Sequence, residues 1–132
     1  MNDADEEKLQ KNRNLCRQFL GLSPKIRYVG LMNNFGRTIS GQLRKGVVPL
    51  FSPDEARDEN FLEATRNQLR KKFEKAIGKT IFTITENEKD KIVTIPMTRG
   101  FFYITLEKDA ENQEILKIIE SIKMHEDPSL RI

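Results

Sequence analysis

His125 and Cys16 are the only histidine and the only cysteine in 132 residues, which narrows the catalytic chemistry open to this chain. Nucleophilic catalysis by a thiol or hydroxyl needs a base within hydrogen-bond reach. Cys16 falls on the apolar stripe of a predicted helix, where a thiol is normally inert packing. His125 lies in or beside the C-terminal end of another predicted helix, so any nucleophile would have to be brought to it by folding. Carboxylates are numerous, but no spaced pair stands out as an acid and base. There is no cysteine–histidine cluster for zinc, and "ENEKD" (86–90) has too few ordered acidic ligands for calcium. The expectation is a protein that is not an enzyme and needs neither metal nor cofactor.

The stretch most like a ligand loop is "IRYVGLMNNFGRTISG" (26–41), with glycines at 30, 36 and 41. A phosphate-binding loop needs G-x-x-x-x-G-K-[ST] opening a helix, yet β-type residues follow Gly36 here. The dinucleotide fingerprint fails for the same reason. Asn33, Asn34 and Gly36 suit the backbone angles of a tight hairpin. Gly30 and Gly41 fall inside strands, where glycine marks a bulge or a close approach by another group. A structural hairpin is the better reading.

Charge offers a second candidate. Arg66, Arg70, Lys71, Lys72, Lys75 and Lys79 stand against the single anion Glu74, and Arg44 and Lys45 form a smaller basic pair. Such strips can contact phosphates. The basic strip closes a predicted helix whose first half carries Asp54, Glu55, Asp58, Glu59 and Glu63. Acids first and bases last is what the helix dipole favours, without any partner. The net charge is only +3, so nucleic-acid binding through Arg66, Arg70, Lys71 and Lys75 is the alternative rather than the main reading.

The elements that must position these groups follow from periodicity. Residues 5–20 read as a helix with Leu9, Leu15, Cys16, Phe19 and Leu20 on one stripe, and Gly21 is placed as its C′ residue. Strands are expected at 26–32 and 37–43. Ser52, Pro53 and Glu55 spell a capping box for a helix over 53–77, with Phe61, Leu62, Leu69, Phe73, Ala76 and Ile77 as its buried stripe and Gly78 as its stop. "KTIFTIT" (79–85) and "KIVTIPM" (91–97) form a hairpin, and "FFYITLE" (101–107) is a central strand. A last helix runs from about 109 to 124. The order α-β-β-α-β-β-β-α describes one α+β domain over 1–132, with about 1–4 and 126–132 flexible. A lone cysteine and the lack of a long apolar run fit a soluble, cytoplasmic protein without a membrane segment.

This element order, with its glycine-containing first hairpin and long middle helix, resembles the roadblock/longin branch of profilin-like domains. The stretches 26–41, "DEARDENFLEATRNQLRKKFEKAIGKT" (54–80) and "FFYITLEKD" together are similar to a family of small uncharacterised archaeal proteins. The roadblock resemblance implies a single antiparallel sheet ordered 2-1-5-4-3 and homodimers along the middle helix and third strand. Pro96 departs from that pattern, because an inner strand tolerates a missing N–H poorly.

The functional expectation is therefore a regulatory or scaffold module that works by protein–protein association, first as a homodimer. Its interface would use Thr80, Ile81, Phe82, Thr83, Ile84 and Thr85, a Pro-free edge in need of cover. A further alternative is a small-molecule sensor, with a pocket between sheet and helices lined by Tyr28, Met32, Phe82 and Tyr103.

Overall fold

The computed structural model describes residues 2–132; the N-terminal end of the expected flexible 1–4 segment, Met1, lies outside them. Strands β1 (Ile26–Asn33), β2 (Thr38–Leu43), β3 (Thr83–Glu86), β4 (Asp90–Pro96) and β5 (Gly100–Glu107) form one antiparallel sheet ordered β2-β1-β5-β4-β3. Helices α1 (Asp3–Leu20) and α4 (Asn112–Lys123) cover one face. Helix α2 (Pro53–Arg70) covers the other, continued by a 3-10 turn (Lys71–Phe73) and a final turn α3 (Glu74–Ile77). The expected α+β architecture and strand order are both present.

The two faces are packed very differently. Alternation along β1, β4 and β5 sends Val29, Leu31, Val93, Ile95, Phe102, Ile104 and Leu106 toward α1 and α4, where they meet Cys16, Phe19, Ile115, Ile118, Ile119 and Ile122. This layer is the main core, and burial of such side chains is worth about 1.5–3 kcal/mol each. The α2 face has a much smaller cluster of Met32, Ala64, Ile92, Phe101 and Tyr103, with Tyr28 against it.

The first hairpin turns as its residues predict. Asn33 Oδ1 accepts from the N–H groups of Phe35 and Arg37 at 2.9 and 3.0 Å, and Gly36 adopts φ +85°. A Cβ on Gly36 would also stand 2.6 Å from the Asn60 carbonyl oxygen of α2, so this glycine seats the helix on the sheet. Gly36→Ala is expected to cost about 2–3 kcal/mol through backbone strain and overpacking together, read as a lower urea midpoint. An unchanged midpoint would mean that α2 does not rest on the hairpin.

Three expectations are corrected. Gly21 caps α1 in the right-handed region, at φ −76°, so no left-handed C′ residue is needed there. The third strand covers 83–86 rather than 79–85, and Pro96 explains the difference. Met97 N–H bonds Gly100 carbonyl on the β5 side, so by alternation the position of Pro96 would have donated toward β3. With no N–H there, the ladder begins only at the Thr83–Thr94 pair. Pro96 thus sits at the end of an inner strand, where its partner has already departed. Finally, the 126–132 segment expected to be loose carries a 3-10 turn, Pro128–Arg131, with Ser129 fully buried. Asp127 anchors it by accepting from the N–H and hydroxyl of Thr98 at 2.8 and 2.5 Å.

Candidate functional site

Helix α2 begins as its capping box dictates. Ser52 Oγ accepts from Glu55 N–H at 3.2 Å, Glu55 Oε1 accepts from Ser52 N–H at 2.9 Å, and Pro53 opens the first turn. The helical path ends at Gly78, with φ +82°. What differs is the side that faces the sheet. Glu63 and Ala64 are the buried residues of α2. Phe61, Leu62, Leu69, Phe73 and Ile77, expected as the core stripe, are instead 50–69% exposed, and Ala76 is exposed with them. The helix is polar inward and apolar outward.

The inward side explains why the α2 seat is weak. Glu63 Oε2, Asn67 Nδ2 and Tyr103 Oη are all buried without a hydrogen-bond partner. Burial raises the pKa of Glu63, offset in part by Arg66, whose guanidinium stands 3.6 Å from Oε1. The folded chain therefore binds this proton more tightly than the unfolded chain does. The stability gained from protonation is complete below the ordinary carboxylate pKa of about 4.3 and is lost as pH rises through the raised folded value. Glu63→Gln is expected to gain on the order of 1 kcal/mol at pH 7 and to converge with the native chain below about pH 4. Thermal melts across that range check it; equal melting temperatures at pH 7 would contradict it.

The expected edge segment divides in two. Thr83, Ile84 and Thr85 belong to β3, at the free rim of the sheet beyond β4. Thr80, Ile81 and Phe82 precede the strand. Phe82 and Ile84 turn into the α1/α4 core, so the part left for a partner is the backbone rim, together with Ile81, which is half exposed. The same packing corrects the sensor pocket. Tyr28, Met32 and Tyr103 share the α2 face, whereas Phe82 packs on the opposite side of the sheet.

The basic residues are not gathered into one surface. Arg66 faces Glu63, and the Arg70 guanidinium lies 5.2 Å above the Phe73 ring. Arg70 and Lys71 do line an open groove of about 540 Å³ with Lys79, Lys123 and His125, but Glu74 and Asp127 share it, while Arg66 and Lys75 stay outside. Arg44, considered above as a phosphate contact, has a structural role. It donates to the carbonyls of Ile26, Leu20 and Ser23 at 2.6, 2.5 and 2.7 Å and so clamps the turn between α1 and β1.

Cys16 is fully buried and its thiol is pushed up to about 11, first by burial. His125 packs its ring edgewise on Phe19, with centroids 5.0 Å apart. Among the described residues, no cluster of His, Cys, Asp or Glu has the arrangement of a metal site, and no helix is long and apolar enough to cross a membrane.

A second feature on the α2 face is a cavity of about 260 Å³, between the sheet, the first turns of α2 and the loop before it. Tyr28, Leu43, Phe51, Ala56, Asp90 and Tyr103 are among its lining residues. The paired glycines Gly30 and Gly41 make room for the Tyr28 side chain on its wall, because a Cβ on either would collide with that side chain. Sequence alone could not reveal this cavity, since the loop residues that wall it carry no periodic signal.

No family model and no curated protein matches the chain. Solved structures do. The gliding protein MglB from Thermus thermophilus superposes with a TM-score of 0.73 at 12% identity, covering 99% of this chain and 93% of that one. A further structure, described as MglB with tetrameric arrangement, gives 0.70 at 10% identity over 92% of this chain and 86% of that one. A roadblock/LC7 domain from Streptomyces avermitilis gives 0.61 at 12% identity over 85% and 94%. Such identities speak for architecture alone: the chain has the fold of roadblock/LC7 domains.

Proposed function

We propose that the chain is a non-enzymatic, cytoplasmic regulatory or scaffold module that acts through protein–protein association, beginning with a second copy of itself. The observation that carries this reading is the outward apolar stripe of α2. Scattered exposed apolar residues are ordinary, but a contiguous helical stripe beside a bare sheet edge is an association surface in waiting. The tetrameric arrangement described for the similar MglB structure supports an assembling role on this architecture.

Magnitudes say how the surface would work. Covering the exposed part of Phe61, Leu62, Leu69, Phe73 and Ile77 would return about 4–8 kcal/mol from each copy, or about 8–16 kcal/mol for a symmetric pair. Association costs about 4–15 kcal/mol, so the two stripes offset that cost with little surplus. The β3 rim, adding a second copy's strand by backbone hydrogen bonds, contributes the rest of the affinity. The alternative of nucleic-acid binding through Arg66, Arg70, Lys71 and Lys75 has less support, since two of the four are engaged within the helix.

A soluble paramagnetic probe tests the surface. NMR signals of Phe61, Leu69 and Ile81 are expected to be shielded in concentrated protein and bleached on dilution. Signals bleached equally at every concentration would remove the proposal.

A further inference from the structure

The cavity under the start of α2 contains a polar group that the fold leaves unanswered. Tyr103 is only 3% exposed, yet its hydroxyl has no partner. A buried unpaired hydroxyl costs about 1–3 kcal/mol, and the side chain that carries it is one of those lining the cavity. Asp90, 6% exposed, also lines the space. One of its oxygens accepts from Asn87 Nδ2 at 3.0 Å, which leaves a carboxylate with acceptor capacity to spare.

Charge selects the ligand class. Burial is the first cause that keeps the Tyr103 phenol protonated, and Glu59 and Glu63 on α2 and Asp90 on β4 add to it, so the phenol also sits in a negative field. Among the described residues, Arg27 is the one cation lining the cavity, and its guanidinium is held by Glu107 at 2.8 Å and the Val48 carbonyl at 2.7 Å. Lys91, next to Asp90 in sequence, points to the opposite face and donates to the Ala110 carbonyl at 2.6 Å. The remaining walls are mostly apolar and aromatic, from Tyr28, Phe51 and Ala56 among others, with Thr38, Asn60 and Thr105 as uncharged polar groups. Aromatic faces and an uncompensated carboxylate together attract a cation.

We infer that this cavity is a binding site for a small organic ammonium, its apolar body against Tyr28 and Phe51 and its charged head toward Asp90 and the Tyr103 hydroxyl. A volume of about 260 Å³ is just below the usual range for ligand pockets, which limits the ligand to a compact molecule. The inference is independent of self-association, because it rests on the inner side of α2 and not on the outer stripe.

The test uses three probes on one ring: benzylamine, benzyl alcohol and benzoate, followed by calorimetry and by NMR shifts of Tyr103 and Thr105. Benzylamine is expected to bind saturably, benzyl alcohol about tenfold more weakly, and benzoate not at all. Asp90→Asn should erase the preference of amine over alcohol. Ala56→Phe, which fills the cavity from the half-buried wall of α2, should abolish binding while circular dichroism stays native. Equal binding of amine and alcohol by the native chain, absence of amine binding, or amine binding that survives Ala56→Phe would each overturn the inference. Light scattering on the same samples reports self-association separately, so the two readings fail independently.

Discussion

Leu69→Glu combined with Phe73→Glu yields a monomer that is folded and as stable as the native chain's own monomer. Both positions are about half exposed on the outward side of α2 and its 3-10 extension, so their replacement removes little core. Surface changes of that kind usually alter stability by no more than about 0.5 kcal/mol. Across an interface the same two carboxylates meet their symmetric copies in an apolar seam. The expected loss is about 4 kcal/mol or more of association energy, roughly three decades in affinity. Sedimentation over a concentration series reads the affinity, and chemical melts at high dilution read the fold. A double variant that unfolds would place these residues in the core after all, and one that still dimerises would move the interface elsewhere.

Phe102→Ala and Phe61→Ala are expected to behave as opposites. Phe102 is fully buried, lies between Leu31 and Ile95 across three strands, and meets Phe19 edge-on at 5.2 Å. Its truncation leaves a cavity in the main core and costs about 3–5 kcal/mol. For a chain of this length that corresponds to a fall of roughly 10–20 °C in melting temperature. Against a typical total stability of about 5–15 kcal/mol, the variant retains a marginal fold. Phe61, 64% exposed, gives up almost no fold stability but weakens association. A fall in melting temperature for Phe61→Ala as large as that expected for Phe102→Ala would show that the faces of α2 have been assigned the wrong way round.

That contrast also marks where the sequence was legible and where it was not. Strand alternation is a local property of each segment, so β1 and β5 read correctly as inner strands, and the Ser52–Glu55 box placed the start of α2 to the residue. The orientation of α2 is not local. Periodicity locates an apolar stripe, but it does not say whether the sheet or a second chain covers it. The opposing signal, Glu63, Ala64 and Asn67 on the other side at helical spacing, reads as an ordinary polar face until Gly36 is seen against the Asn60 backbone. The length of β3 was missed because its limit lies in its neighbour, where Pro96 withholds a donor. Arg44 looked like a free cation because its three carbonyl partners come from the chain reversal between α1 and β1, which no spacing rule anticipates.

The account depends on the outward face of α2 being covered by a second chain. Light scattering of the native protein at high concentration tests it most directly. The predicted mass is about twice the 15.4 kDa of one chain, falling to a single chain in the Leu69→Glu, Phe73→Glu variant. A native chain that stays at 15.4 kDa at every concentration would contradict it.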